Sequence, residues 1–267
     1  MKSSMSPSEI MAIVIFYHYS GFKCFKYFYL QGIQKTWKDY FPNALSYNRF
    51  VELKKEVNIL LFLFTHSCCT QERSGKYYID ATKLPVCHNR RIYYHRVFDG
   101  IAQRGKSSMG WFYGLKLHMI TDENGELISF LFSSGNKADC TMVIVEKLTE
   151  NIKEGKLFAD AGYVSKKLVE KLMDQGIYLM SKIRQNMKNK LIDYQDKWLL
   201  KKRTIIETIF DLLKNIFDLW HTRHRSVDNA FNNAMASLAA YQFLEHKPGI
   251  KKKNMKEIAF YLVNTSN

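Results

Sequence analysis

The chain has 267 residues, 46% of them hydrophobic, enough to bury a sizeable core and too apolar for a disordered chain. Its 40 Lys and Arg face 25 Asp and Glu, a formal charge of +15 with a pI near 9.5, so polyanions are the expected partners. The most apolar runs, "MAIVIF" and "NILLFLF", are far shorter than the ~20 residues that span a bilayer; with no secretory pattern in "MKSSMSPSEI" and no C-x-x-C pair among five cysteines, the expectation is a cytoplasmic protein with reduced thiols, no membrane partner and no zinc finger.

Ser6-Pro7-Ser8-Glu9 predicts a helix start, with Ser6 as N-cap and Glu9 closing a capping box, and the helix should run to Gly21. A second helical stretch is expected over 23–38. "FPNALSYNRF" breaks it before "NRFVELKKEVNILLFLF" resumes helical periodicity. Residues 1–72 therefore read as a helical domain that binds DNA ends or serves as a packing platform. Its candidate recognition helix is "SYNRFVELKKEV", which would place Asn48, Arg49, Lys54 and Lys55 near DNA.

Strand signals begin with "YYID", residues 77–80. In "GWFYGLKLHMI" Trp111, Tyr113, Leu115, Leu117 and Met119 fall on one face, with Phe112, Gly114, Lys116 and His118 on the other. Asn124-Gly125 signals a hairpin turn, and "LISFLFSS" is the antiparallel return. Asp139 is the expected N-cap of the helix in "ADCTMVIVEKLTENI". A buried strand "KLFAD", a helix ending at Gly176 and a strand "IYLMSKI" follow.

Residues 184–203 read as a polar basic link, 203–220 as an amphipathic helix and "VDNAFNNAMASLAAYQFLEH" as the last helix. The order helices, then β-β-β-α-β-α-β-α, predicts an α/β fold: a mixed sheet flanked by helices over 73–247, with a loosely held basic tail at 248–267.

"GIAQRGKS", residues 100–107, fits the G-x-x-x-x-G-K-[ST] pattern of a phosphate loop, but a helix N-terminus must follow such a loop. Strand alternation follows instead, so the stretch reads as a basic loop leading into a strand, and no nucleotide cofactor is expected. The acids are more informative. Asp80 closes the first strand, Asp160 closes "LFAD", and Glu207 lies on the helix "KKRTIIETIFDLLK". Acids at strand ends and on a packed helix can converge at one sheet edge. Hard divalent cations want oxygen ligands, and a pair of them ~4 Å apart supports in-line phosphoryl transfer.

On the Glu207 helix, Arg203, Glu207 and Lys214 share one face, while Ile205, Ile209, Leu212, Ile216 and Leu219 mark the core face. Each Asp could instead be a turn former or N-cap, and Glu207 a member of an i, i+4 ion pair worth roughly 0.2–0.5 kcal/mol.

These residues resemble the bacterial insertion-sequence transposases with a DDE catalytic domain, whose core is ribonuclease H-like. Arg203, Glu207 and Lys214 match that family's R-x3-E-x6-K signature; "LFADAGY", "YYIDATKLPVC" and "RVFDGIAQRGKSSMGWFYGLKLH" are similar to its other motifs, from about residue 74 to 245. Leu200 departs from the Tyr often found three positions before the Arg. The resemblance implies that Asp80, Asp160 and Glu207 are catalytic and bind Mg²⁺, with Mn²⁺ able to substitute. It also implies nicking at element ends followed by attack of the 3′-hydroxyl on target DNA, with Arg203 and Lys214 contacting phosphates. Arg90, Arg91, Arg104, Lys106 and Arg49 are further candidate DNA contacts beside Tyr93 and Tyr94. The expected partners are double-stranded element ends and target DNA, and the expected assembly on DNA is a homodimer. Two other readings use the same residues: a nuclease without strand transfer, and a DNA-binding copy without turnover.

Overall fold

In a computed structural model the described residues are 4–69, 74–107, 110–181 and 193–250. The chain divides into two compact units, the first Met1–Cys69, Leu84–Gly114 and Asp211–Glu245, the second Thr70–Lys83, Leu115–Phe210 and His246–Asn267. Among the described residues no helix is long and apolar enough to cross a membrane.

In the first unit the predicted capping box starts α1 (Pro7–Tyr19): Ser6 Oγ accepts the Glu9 N–H at 3.3 Å and Glu9 Oε2 accepts the Ser6 N–H at 2.7 Å. The second helical stretch is less regular than predicted. One α-turn, α2 (Phe25–Tyr27), leads into a π-helical run Phe28–Thr36, where the Trp37 N–H reaches five residues back to the Gly32 carbonyl at 2.8 Å. Only glycine fits at that widened turn, because a Cβ at position 32 would overlap the Trp37 ring.

The expected long helix after it is two, α3 (Tyr47–Leu53) and α4 (Asn58–Ser67), so Lys54 and Lys55 lie past the end of α3. In the last helix, α9 (Val227–Gln242), Ala230, Ala234, Ala236, Ala239 and Ala240 are buried. These small side chains let α1 and α4 approach closely, and Thr65 on α4 donates to the Met235 carbonyl at 3.3 Å.

The strands are β1 (Lys76–Cys87), β2 (Gln103–Ser107), β3 (Gly110–Asp122), β4 (Leu127–Ser134), β5 (Gly155–Ala159) and β6 (Ile177–Ser181). In the first unit β2 pairs antiparallel with the start of β3, from Gln103–Gly114 to Ser107–Gly110. This corrects the reading of "GIAQRGKS" as a loop. Its β2 portion, QRGKS, holds no β-branched or aromatic residue, and its strand form comes from pairing with β3. Gly105 is buried while Arg104 and Lys106 face outward.

In the second unit β1 lies between β3 and β5, β6 pairs parallel with β5, and β4 pairs antiparallel with β3. Odd positions of β1 and β5, Tyr77, Ile79, Leu157 and Ala159, enter one apolar cluster with Ile144, Val145 and Leu148 of α5 (Met142–Thr149) and Leu168 and Leu172 of α6 (Lys166–Asp174). Each fully buried Leu or Ile contributes about 1.5–3 kcal/mol. Even positions face the opposite side, where Lys156 meets Asp196 of α7 (Tyr194–Lys201) at 2.8 Å. Helix α7 occupies part of the predicted basic link; residues 184–192 of that link, and the tail beyond residue 250, fall outside the described residues.

The hairpin turn falls where predicted, with Gly125 at φ 80°. A side chain at 125 would be strained and would collide with the Pro248 carbonyl. Gly125→Ala is therefore expected to cost about 1–2 kcal/mol, read as a lower midpoint in urea unfolding; an unchanged midpoint would contradict the turn. Asp139 does not cap α5. Thr141 stands at the N-cap, and the Asp139 carboxylate is engaged by Lys116 at 2.8 Å.

Candidate active site

Parallel pairing of β1 with β5 runs toward Asp80 and Asp160. Lys76 pairs with Lys156, Tyr77 with Leu157 and Tyr78 with Phe158. This ladder ends two residues before Asp80 of β1 and two before Asp160, which directly follows the last residue of β5. Asp160 keeps extended backbone, φ −72° and ψ 158°, so the alternation of side chains holds. By that alternation Asp80 and Asp160 fall on the side of Tyr78 and Phe158, whose rings stack at 5.3 Å between centroids. Their local bonding is alike: Asp80 Oδ1 accepts the Ala81 N–H at 2.8 Å and Asp160 Oδ1 the Ala161 N–H at 2.8 Å. Asp160 is exposed and caps a short 3₁₀ turn, Ala161–Tyr163.

The third acid comes from α8 (Thr204–Asn215), with Glu207 in its first turn, where a helix favours negative charge. Arg203 immediately precedes this helix and forks between two acids. Its Nη1 donates to Asp80 Oδ2 at 3.0 Å and its Nη2 to Glu207 Oε1 at 2.9 Å. The i, i+4 pair anticipated for Glu207 is therefore present, but the same guanidinium also ties the helix to Asp80, 123 residues away, which does not close its strand as expected but lies within β1, since that strand runs on to Cys87.

Burial pushes the Asp80 carboxyl up to about 6 against the pull of the Ala81 N–H and Arg203, and Glu207 adds like charge. Tyr163, which the sequence reading did not single out, is buried with its hydroxyl unpartnered. Burial, then Asp80 and Asp139, hold that phenol well above its usual range. Its position three residues after Asp160 was the available signal.

Helix α8 ends at Asn215 rather than near 220, leaving Ile216 57% exposed against its predicted place on the core face. Asp218, at φ 45°, breaks the helical path just beyond. Ile206, Phe210 and Leu213 join Ile205 and Ile209 in burial. Lys214 sits in the last turn of α8.

Within the first unit Arg90, Arg91, Arg104 and Lys106 are exposed, as are Tyr93, Tyr94 and Trp111 at 78%, 84% and 63%. The Arg104 guanidinium lies over the Tyr93 ring at 5.7 Å and the Lys106 ammonium over Trp111 at 5.9 Å. Arg49 is exposed and paired with Glu52 at 2.8 Å.

A family model described as "Transposase DDE domain" matches residues 70–227, more than half of the chain. The chain belongs to the DDE transposases. Among solved structures this transposase is similar to one described as a "piggyBac transposase synaptic complex with hairpin DNA", with a TM-score of 0.57 and 12% identity over 98% of this chain and 73% of the other. At that identity the likeness concerns the fold, and it agrees with the α/β, ribonuclease H-like architecture expected for the transposase. No curated protein matches the sequence significantly. The transposase is thus an enzyme of DNA transposition, and its family implies a divalent metal cofactor.

The three acids fit such an ion by chemistry, since they offer carboxylate oxygens and no thiolate or imidazole. Among the described residues no three His, Cys, Asp or Glu side chains are grouped closely enough to hold a metal, and Asp80 and Glu207 share the Arg203 guanidinium instead.

Proposed function

We propose that Asp80, Asp160 and Glu207 form the catalytic acids of this transposase and hold Mg²⁺, or Mn²⁺ in its place, to cleave DNA at element ends and join the 3′-hydroxyl to target DNA. The observation that carries this reading is the Arg203 fork that ties Glu207 to Asp80, with Asp160 following β5, the parallel neighbour of the strand that holds Asp80. When bound, the metal supplies an activated attacking oxygen and stabilises the leaving one. Arg203 neutralises Asp80 and Glu207; were these acids to hold the ion, at least one of them would have to leave the guanidinium, whose donors would then be available to phosphate. Lys214, further along α8, extends that cationic face.

Arg90, Arg91, Arg104 and Lys106, interleaved with Tyr93, Tyr94 and Trp111, suit backbone phosphates and exposed bases of double-stranded element ends and target DNA. The helical region 1–72, with exposed Arg49, contributes to end recognition. The acting species on DNA is a homodimer.

The test is to incubate the purified protein with a labelled fragment carrying the element ends, a target plasmid and Mg²⁺, and to repeat with Asp160→Ala. Strand-transfer products are expected from the wild type and lost in the variant. Unchanged product in Asp160→Ala, or cleavage that persists in EDTA, would overturn the assignment; cleavage without joining would reduce it to a nuclease.

A further inference from the structure

A cavity of about 450 Å³ lies wholly within the first unit, between α1, the turn after α3 and the segment 218–224. It is half open and within the roughly 300–1,000 Å³ typical of small-molecule sites. Its lining is strongly cationic. Lys23, Lys54 and Arg223 contribute to it, against the single carboxylate of Asp218, which already accepts the Tyr17 hydroxyl at 3.2 Å; burial holds its three histidines, His18, His221 and His224, below the usual imidazole range and so neutral.

Lys54 is the informative residue. The candidate recognition helix ends before it, and its side chain turns inward over the Phe25 ring at 4.7 Å. Among the described residues it forms no ion pair, and burial pushes its ammonium down to about 8. A desolvated ammonium without a counter-anion is costly, and an arriving anion would offset that cost.

Two further polar atoms at the cavity are buried without hydrogen-bond partners: His224 Nε2 and Asn229 Oδ1. The His224 ring stacks on His221 at 3.8 Å between centroids, and Tyr17 and Phe25 add aromatic wall. Cations and flat rings around a space larger than an inorganic ion define a ligand with a phosphate at one end and a planar body at the other.

We propose that this cavity binds a phosphomonoester of nucleotide size, with Lys54 as the counter-ion to its phosphate. A free mononucleotide and the 5′-phosphorylated end of a DNA strand share that chemistry. Full-length protein would be melted with dAMP, deoxyadenosine, and 5′-phosphorylated or 5′-hydroxyl single-stranded oligonucleotides, then again as Lys54→Met.

Expected is a rise of about 5 °C or more at a hundredfold excess of dAMP or of the phosphorylated strand over its Kd, no rise with deoxyadenosine, and at least tenfold weaker phosphate-dependent binding in Lys54→Met. That variant removes a buried charge while keeping the stem's volume, so its own melting temperature should be maintained. Binding of dAMP as tight as that of the phosphorylated strand assigns the site to free nucleotides; preference for the phosphorylated strand assigns it to DNA ends. The proposal is overturned if the phosphate confers no gain over the hydroxyl counterpart in either pair, or if Lys54→Met keeps the full shift.

Discussion

Glu207→Gln is expected to lower strand transfer by about 10³-fold or more while leaving the melting temperature within a degree or so of the wild type. Two roles compete for Glu207, and their magnitudes separate them. As half of an i, i+4 pair with a half-exposed side chain it stabilises the helix by roughly 0.2–0.5 kcal/mol, enough for no more than about a twofold change in any equilibrium. As a ligand to the ion that stabilises the transition state, loss of its charge removes on the order of 4 kcal/mol, three decades in rate. Gln keeps the length of the side chain and an acceptor for Arg203, so the substitution tests charge. Single-turnover strand transfer in Mg²⁺ and in Mn²⁺ is the measurement. A loss below tenfold in both metals would return Glu207 to the role of a helix-surface partner.

Asp80→Asn is expected to abolish strand transfer and at the same time to make the folded protein more stable at neutral pH. The carboxyl is largely buried, and its folded pKa is raised from 3.8 to about 6. A raised pKa in an acid means that the folded state holds the proton more tightly than the unfolded one. The associated stability is therefore present below about pH 3.8 and lost as pH rises through 6. Above that the ionised Asp80 destabilises the fold by a constant amount, roughly 3 kcal/mol at most.

Asn removes the penalty but leaves Arg203 with only Glu207, so a net gain of about 1–2 kcal/mol, a few degrees in melting temperature, is expected at pH 7.5 and almost none at pH 4. Mg²⁺ should narrow the gap at pH 7.5, because it stabilises the charged form in the wild type alone. A variant that melts at or below the wild type at pH 7.5 would show that Asp80 is held in its charged form by its partners.

Much of this architecture is legible in local pattern. The capping box of Ser6 and Glu9, the Asn124-Gly125 hairpin and the apolar runs ending at Asp80 and Asp160 are determined by residues within a turn or a strand of one another. What escaped the sequence was decided at long range. β2 has the composition of a loop and becomes a strand only through its pairing with β3. Asp139 has the residue type and place of an N-cap, but Lys116, 23 residues earlier, takes its carboxylate. Arg203 looked like a phosphate contact on a helix face; its tie to Asp80 depends on a strand 123 residues upstream. Lys54 counted among surface cations until α3 ended before it and the ammonium turned over Phe25.

The ladder between β1 and β5 also separates the pairing that leads to the two aspartates from the length of chain that joins them. The pairing runs just before each residue in the chain, whatever the length of polypeptide between them. The chain uses that latitude: after Lys83 it leaves the second unit, builds the cationic segment Leu84–Gly114 as part of the first, and returns at Leu115. An excursion of this kind can be lengthened, replaced or fitted with a reporter peptide at its exposed turn near Asp99 and Gly100 without disturbing the spacing of the acids. The exposed cationic surface of this segment can in this way diversify independently of the acids.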